Sequence, residues 1–409
     1  MRLSVAEMLA RVAHQYGTPC YVYDVRRLHQ QVAHLQASVP AGVDVLYSLK
    51  ANPSLGLCGL MAGWGLGADV ASLGELLVAL AAGFPPARVL VGGPALSPDT
   101  LEHLQHLPEA LVSVDSLGEL RMLAERGQSL RLLLRLRPDF YLPAAVATGP
   151  DARFGIPFDD LERCRATLTN SALTVVGFHV FSGSQLLDGL TIQRHLRGAV
   201  TLCLRASERL GIAPQILNLG GGFGVPYEPG EPELDLSPLA QELSSLLDQV
   251  APGRLVLELG RYLVAQAGWY LTTVLTSQQR ASRQTVVVDG GIHQRADLCR
   301  LGLRTQASPP LVLHAHSHAA FSTDVQGCLC LPDDVLLEAG MLPELAPGTL
   351  LAFPNAGAYG FSASPLYFLG HPIPPEVAFD GEQSELLRAR QPAQFWVETQ
   401  RHLHRVPGA

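Results

Sequence analysis

The sequence predicts an α/β chain: a (β/α)8 barrel of the TIM type with a second, mostly β, C-terminal domain. Three observations carry this prediction. Between about Val43 and Val264, eight short β-branched or leucine-rich runs alternate with helix-length segments. A polar, ionisable or glycine residue stands at the end of nearly every run. Beyond about Leu271 the pattern changes to short strand-like runs between Pro- and Gly-rich turns. At 409 residues, 47% hydrophobic and 16% charged, the chain is too long for one compact core and too apolar to be disordered. The expected division is a barrel over 27–270, with 1–26 and 271–409 forming the β domain.

Met1 to Gly17 mixes charges and histidine with apolar residues and reads as a short amphipathic helix. The eight strands are placed at Val43–Leu49, Gly67–Val70, Arg88–Val91, Leu111–Val114, Leu130–Leu136, Leu173–Val180, Ile216–Leu219 and Leu255–Leu259. Helices fall between them at Ser72–Ala82, Asp99–His106, Leu117–Arg126 and Thr191–Leu210. The strand ends carry, in order, Lys50 with Asn52, Asp69, Gly92–Gly93, Asp115, Arg135 with Arg137, His179, Gly220–Gly222, and Glu258 with Arg261. In a barrel this is the face that bears chemistry. Later strands are expected at Thr285–Asp289, Pro310–His314 and Thr349–Phe353.

Composition excludes several classes. A net charge of −8 without long runs gives no footprint for nucleic acid or an anionic membrane. No apolar run approaches the roughly 18 residues of a membrane span. Seven scattered cysteines form no disulfide framework and suit a reducing cytoplasm. Without CxxC or HExxH, no metal is expected.

Several motifs carry chemistry. Tyr47-Ser48-Leu49-Lys50-Ala51-Asn52 ends an apolar strand in a lysine; a desolvated amine there is a good Schiff-base former, though a lysine just past a strand also snorkels to water. Leu219-Gly220-Gly221-Gly222-Phe223-Gly224 lets backbone N–H groups converge on an anion after the seventh strand, a common phosphate position, and also suits a plain tight turn. Glu258-Leu259-Gly260-Arg261 offers a carboxylate for a protonated ring nitrogen and a guanidinium for phosphate, or an internal ion pair. In Gly177-Phe178-His179-Val180-Phe181-Ser182-Gly183 the imidazole of His179 can face a cofactor ring or fill a core, and Ser182 can bind phosphate. Cys330, in Gly327–Asp334, is a proton donor or a structural thiol. Small residues surround Tyr359 in Asn355–Gly360, fitting a close approach to a ligand or an ordinary turn.

Taken together and in this order, these motifs resemble the fold-type III pyridoxal-5′-phosphate (PLP) decarboxylases, the group of the diaminopimelate, ornithine and arginine decarboxylases. The resemblance spans about Pro19 to Val377, with YSLKAN, GADVASLGEL, GFHVFSGSQ, LGGGFG, ELGRYLV, VDGG and AGAYGFS as its markers. It implies PLP as cofactor, Lys50 as the Schiff-base lysine, and Asp69 and Glu75 as supporting acids. It further implies Arg135 as the strand-five arginine, His179 against the cofactor ring and Glu258 on its nitrogen. Ser182, Gly220, Gly221, Gly222, Arg261 and Tyr359 would bind phosphate. Cys330 matches the cysteine supplied across a homodimer with shared active sites, and Asp334 an acidic position after it.

Two departures bear on substrate. The acidic residue that usually follows the cysteine is Leu331 here. The stretch Ile292–Cys299 lacks the Arg-Pro-x-Leu-Tyr of diaminopimelate decarboxylases. A distal ammonium is therefore poorly provided for. Asn218–Tyr227, the Cys330-x-Pro332-x-Asp334 spacing and Phe368–Pro372 resemble the branch acting on carrier-protein-tethered aminoacyl groups, the glutamyl-[acyl-carrier protein] decarboxylases. The expectation is a cytoplasmic α-decarboxylase of an acidic aminoacyl group on a carrier protein. The alternatives are a decarboxylase of a free amino acid such as diaminopimelate, a PLP-dependent racemase, and a non-enzymatic PLP-binding protein.

Overall fold

The computed structural model describes residues 3–143, 146–169, 171–295, 308–313 and 320–401. The chain divides into two compact units: 29–226 with 230–265, and 1–28 with 227–229 and 266–409.

The first unit is a closed, all-parallel eight-stranded barrel. Its strands are Val43–Ser48, Gly67–Val70, Val89–Val91, Leu111–Val114, Arg131–Leu136, Thr174–Val180, Ile216–Gly221 and Arg254–Leu259. All eight expected strands are present in the expected order, and the last closes on the first through Leu257 opposite Val45 and Glu258 opposite Leu46. The interior is plugged by Leu46, Leu90, Leu111, Leu133, Val176 and Val256, with partly buried Ile216 against them. Leucine, isoleucine and valine fill a barrel of this size without polar atoms to satisfy.

Strand periodicity then decides what lies above that plug. Side chains alternate, so two residues beyond each plug residue the chain again faces inward. Leu46 leads to Ser48, Leu111 to Ser113, Leu133 to Arg135 and Val256 to Glu258. The sixth strand reaches the same layer differently. Its pairing with the fifth shifts between Leu132–Val175 and Leu133–Gly177, leaving Val176 as an extra residue. That bulge reverses the alternation and sets His179 level with Arg135 and with Asn218.

The second unit is built on a nine-stranded sheet. Its main path runs Val335–Pro343, Ala320–Gln326, Arg283–Val288, Gly268–Arg280, Cys20–Asp24, Glu376–Phe379, Ser384–Arg388, while Leu350–Phe353 pairs with Gly268–Arg280 and with Leu311–Leu313. The N-terminal strand Cys20–Asp24 is thus an interior strand, antiparallel to Gly268–Arg280 and parallel to Glu376–Phe379. The helix Val5–Tyr16 lays Met8, Leu9, Val12 and Ala13 on this sheet against Cys20, Val22, Leu271 and Phe379. A capping box starts it: the Glu7 N–H donates to Ser4 Oγ, and the Ser4 N–H donates to Glu7 Oε2 at 2.7 Å. The expected strands in this part appear as Arg283–Val288, Leu311–Leu313 and Leu350–Phe353; His314 and Ala296–Cys299 lie outside the described residues. Among the described residues no helix is long and apolar enough to cross a membrane.

Candidate active site

The polar layer at the C-terminal ends of the barrel strands brings most of the expected site residues together. Lys50 lies in a short 3-10 turn, Leu49–Ala51, directly after the first strand. Its Nζ stands 3.7 Å from Asp69 Oδ2 and 5.9 Å from the centre of the Phe181 ring. Ser48 is level with Asp69 on the second strand. Burial and the neighbouring Glu258 raise the Asp69 carboxyl above its ordinary range, and Lys50 opposes them. Lys50 itself is half exposed, at 49% of its side-chain surface, so its amine is open to a ligand while the acid beside it is not.

The strands Gly67–Val70 and Leu111–Val114 are each followed, after one residue (Ala71 and Asp115), by the same five residues, Ser-Leu-Gly-Glu-Leu, at 72–76 and 116–120. In each copy the serine hydroxyl caps the following helix by accepting from the glutamate N–H. The glutamate reaches back: Glu75 Oε2 accepts from Ala71 N at 2.7 Å, and Glu119 Oε2 from Asp115 N at 2.7 Å. Burial raises Glu75 and raises Glu119 to about 7. Glu75 therefore acts on the turn that follows the strand of Asp69, a helix-start device used after two barrel strands that flank Val89–Val91.

His179 and Glu258 form the centre of the layer, both less than a tenth exposed. His179 Nδ1 lies 2.8 Å from Ser113 Oγ, while its Nε2 has no hydrogen-bond partner among the described residues and stands 3.5 Å from Glu258 Oε1. Burial, then Arg135, hold the imidazole well below its ordinary pKa, so it is neutral. Glu258 Oε1 accepts from Asn218 Nδ2 at 2.5 Å, and Asn218 Oδ1 accepts from Gly220 N at 2.9 Å. One asparagine thus ties the carboxylate to the start of the glycine turn.

That turn is dictated by space as well as by dihedral angle. Gly220 and Gly222 have φ of 63° and 80°, a region costly for side chains. A Cβ on Gly221 would overlap the Glu258 carbonyl oxygen, and one on Gly222 the Gly183 carbonyl oxygen. Only a bare backbone fits there. Ser182 lies beside the turn, fully buried, its hydroxyl bonded to His195 Nδ1. His195 Nε2 lies 2.5 Å from the Leu219 carbonyl, which can only accept; Nε2 therefore carries the proton and Nδ1 accepts from Ser182. Burial lowers His195 to about 4.

Arg135 Nη1 donates to Asp115 Oδ1 at 2.8 Å, and its guanidinium lies 5.4 Å from the Phe154 ring centre and 5.9 Å from that of Phe181. Phe181 is thus shared by Lys50 and Arg135. Arg261 opens a four-residue helix after the eighth strand.

Three expected residues, Cys330, Asp334 and Tyr359, belong to the second unit. Cys330 is exposed in the turn between Ala320–Gln326 and Val335–Pro343. Asp334 organises that turn: Oδ1 accepts from Ile292 N at 2.8 Å and Oδ2 from Leu329 N at 2.7 Å. Tyr359 adopts a left-handed conformation, φ 60°, before the short helix Gly360–Ala363.

Sequence reasoning assigned no role to Ser113, Asn218, Phe181 or His195. Ser113 and Asn218 had a usable signal, being polar residues inside otherwise apolar barrel strands. His195 had none, because a histidine within a long amphipathic helix looks like any other. Also unanticipated is a cluster in the second unit, where His293, Cys328 and His371 place their donor atoms within 4.8 Å of one another.

Comparison with known proteins agrees with this geometry. The family model for the pyridoxal-dependent decarboxylase, pyridoxal binding domain, matches residues 25–265. The chain is similar to the L-glutamyl-[BtrI acyl-carrier protein] decarboxylase of Niallia circulans, with 32% identity over 98% of this chain and 97% of that one. It is similar to the diaminopimelate decarboxylase of Zymomonas mobilis, with 30% identity over 94% and 92%. Among solved structures it resembles diaminopimelate decarboxylase from Helicobacter pylori complexed with L-lysine, with a TM-score of 0.86, 28% identity, and coverage of 95% and 98%.

Proposed function

Because the chain belongs to the pyridoxal-dependent decarboxylase family, and is thus a PLP-dependent carboxy-lyase, we propose that it removes the α-carboxylate of an acidic amino acid whose side-chain carboxyl is held as a thioester on a carrier protein. The observation that carries the site assignment is the convergence of Lys50, Asp69, His179 and Glu258 above the barrel plug, with the glycine turn tied to Glu258 through Asn218.

The residues present fit PLP. Gly220–Gly222 form a cradle that any Cβ would fill, and with Ser182 and Arg261 they would hold the phosphate, a role the family resemblance also assigns to Tyr359. Glu258, buried and acceptor-rich, holds a proton on the pyridine nitrogen. Neutral His179 would offer an uncharged imidazole to the ring. Bound PLP supplies an electron sink for the bond that breaks. Lys50 Nζ is the point of attachment, and Asp69 keeps that amine oriented. Arg135, fixed by Asp115 and the two phenylalanines, presents a guanidinium to anionic substrate.

Cys330 Sγ delivers the proton that replaces the carboxylate on Cα. Its exposure in one chain suits a homodimer in which each subunit completes its partner's site.

The substrate assignment rests on Leu331 and on the Niallia relative. Decarboxylation needs a free α-carboxylate, so a tether must use the side-chain carboxyl. Leu331 is 41% exposed and offers no charge next to Cys330. A distal ammonium docked there without a partner would cost several kcal/mol. The test is carbon dioxide release from glutamyl and aspartyl thioesters on a phosphopantetheine arm, set beside free Glu, Asp, Lys, ornithine and diaminopimelate. Thioester turnover is expected to dominate, and Leu331→Glu should shift the ratio toward diaminopimelate by roughly tenfold or more. Efficient turnover of free diaminopimelate with none of any thioester overturns the substrate and leaves the decarboxylase intact.

A further inference from the structure

We propose that His293, Cys328 and His371 form a binding site for one borderline-soft divalent cation, zinc foremost, with a fourth coordination position left to water. The three donors come from separate segments of the second unit, and their ligand atoms all lie within 4.8 Å of one another. Cys328 Sγ and His371 Nδ1 are already 3.8 Å apart, and the two imidazole centres are 4.9 Å apart. Around tetrahedral zinc, with Zn–N of about 2.0–2.1 Å and Zn–S of about 2.3 Å, donor atoms stand roughly 3.3–3.6 Å from each other. Small side-chain rotations close that gap.

A second observation points to a ligand. His293 is fully buried, and among the described residues neither of its ring nitrogens has a hydrogen-bond partner. Buried polar atoms are seldom left so, because each loses its water without compensation. A packed histidine normally satisfies at least one nitrogen, as His179 and His195 do here. His293 instead stands with its ligand atom within 4.8 Å of a thiol and of a second imidazole. Two imidazoles and a thiol are a donor set suited to zinc rather than to magnesium or calcium.

The backbone around the donors is fixed. Asp334 accepts from Ile292 N and Leu329 N, the neighbours of His293 and Cys328. Cys328 N donates to the Gly290 carbonyl at 2.9 Å. Gln294 Nε2 donates to the Pro372 carbonyl at 3.1 Å, next to His371. The donors are thus presented by pinned segments, as a site of this kind requires. Binding converts the Cys328 thiol to thiolate and releases its proton to solvent, leaving the charge of the ion reduced by one. Because Cys328 precedes Cys330 by two residues, the ion would brace the turn that carries Cys330.

The experiment uses reduced holoenzyme, stripped with a chelator and titrated with Co(II) in the absence of air. The wild type should take up one equivalent and develop a thiolate-to-cobalt charge-transfer band with tetrahedral d–d absorption; zinc should displace both. Cys328→Ser should lose the charge-transfer band, while Cys330→Ser should keep it and His371→Gln should weaken uptake. Circular dichroism and retained PLP absorbance establish that each variant is folded. A folded wild type that binds no cobalt, or a band that persists in Cys328→Ser or vanishes in Cys330→Ser, overturns the proposal.

Discussion

The Glu258 carboxylate stands 3.5 Å from Nε2 of His179, yet the imidazole beside it is neutral. Burial, reinforced by Arg135, outweighs the attraction of the Asp69 carboxylate. Glu258 is therefore not consumed by an ion pair with His179, and its charge remains available to a protonated ring nitrogen. Glu258→Gln keeps the size and an acceptor for Asn218 but removes the charge. It is expected to lower kcat on the order of 10²-fold with PLP still bound. Unchanged kcat in the loaded variant would remove Glu258 from the proposed site.

The glycine cradle makes a separate demand. Gly221→Ala places a methyl group against the Glu258 carbonyl oxygen. Relief of that overlap should cost about 1–3 kcal/mol of stability and spoil the phosphate seat. Thermal unfolding gives the first quantity, and PLP retained per chain after gel filtration gives the second. Full PLP retention, with the variant folded, would place the phosphate elsewhere.

His195 couples the same region to pH. Its pKa falls from an ordinary 6.5 to about 4 on burial. The unfolded chain therefore takes up this proton first as pH drops. The stabilisation is whole above pH ~6.5 and is lost progressively as pH falls toward ~4, a loss of about 3 kcal/mol. Glu119, raised to about 7, works in the opposite direction between its ordinary value and neutrality, so the parent curve alone does not isolate the histidine. The urea-unfolding difference between pH 7 and pH 4 should shrink by about 3 kcal/mol in His195→Gln relative to the parent. Parallel curves for the two proteins would contradict it.

The proposed sharing of sites is tested by complementation. Lys50→Ala and Cys330→Ala homodimers are each expected to be nearly inactive. Random re-pairing should restore about a quarter of wild-type activity, since half the dimers then hold one intact site of two. Borohydride reduction of separate samples of each homodimer, kept out of the mixing, should label Lys50 in the Cys330→Ala chain and none in the other. Exchange without recovery would show that the cysteine acts within its own chain or not at all.

Much of this was legible along the chain. All eight barrel strands were visible as apolar runs, because a buried parallel strand is apolar on both faces and its end is marked by the return of polarity. Lys50, Asp69, Arg135, His179, Gly220–Gly222 and Glu258 were legible for that reason and through the motifs they belong to. The recurrence of Ser-Leu-Gly-Glu-Leu after two strands was equally visible, though its use as a helix-start device is a matter of geometry.

The sequence by itself determined the strand order, the lysine and the glycine turn, since each is encoded in contiguous residues with a local physical signature. Tertiary structure alone decided which way His179 faces, because the extra residue at Val176 that turns it inward is defined only by pairing with the neighbouring strand. It also decided that Cys20–Asp24 pairs between Gly268–Arg280 and Glu376–Phe379, that Asn218 holds Glu258, and that His293, Cys328 and His371 meet. In those cases the partners lie far apart along the chain, and a pattern with a period of two or 3.6 residues carries no information about what closes the distance between them.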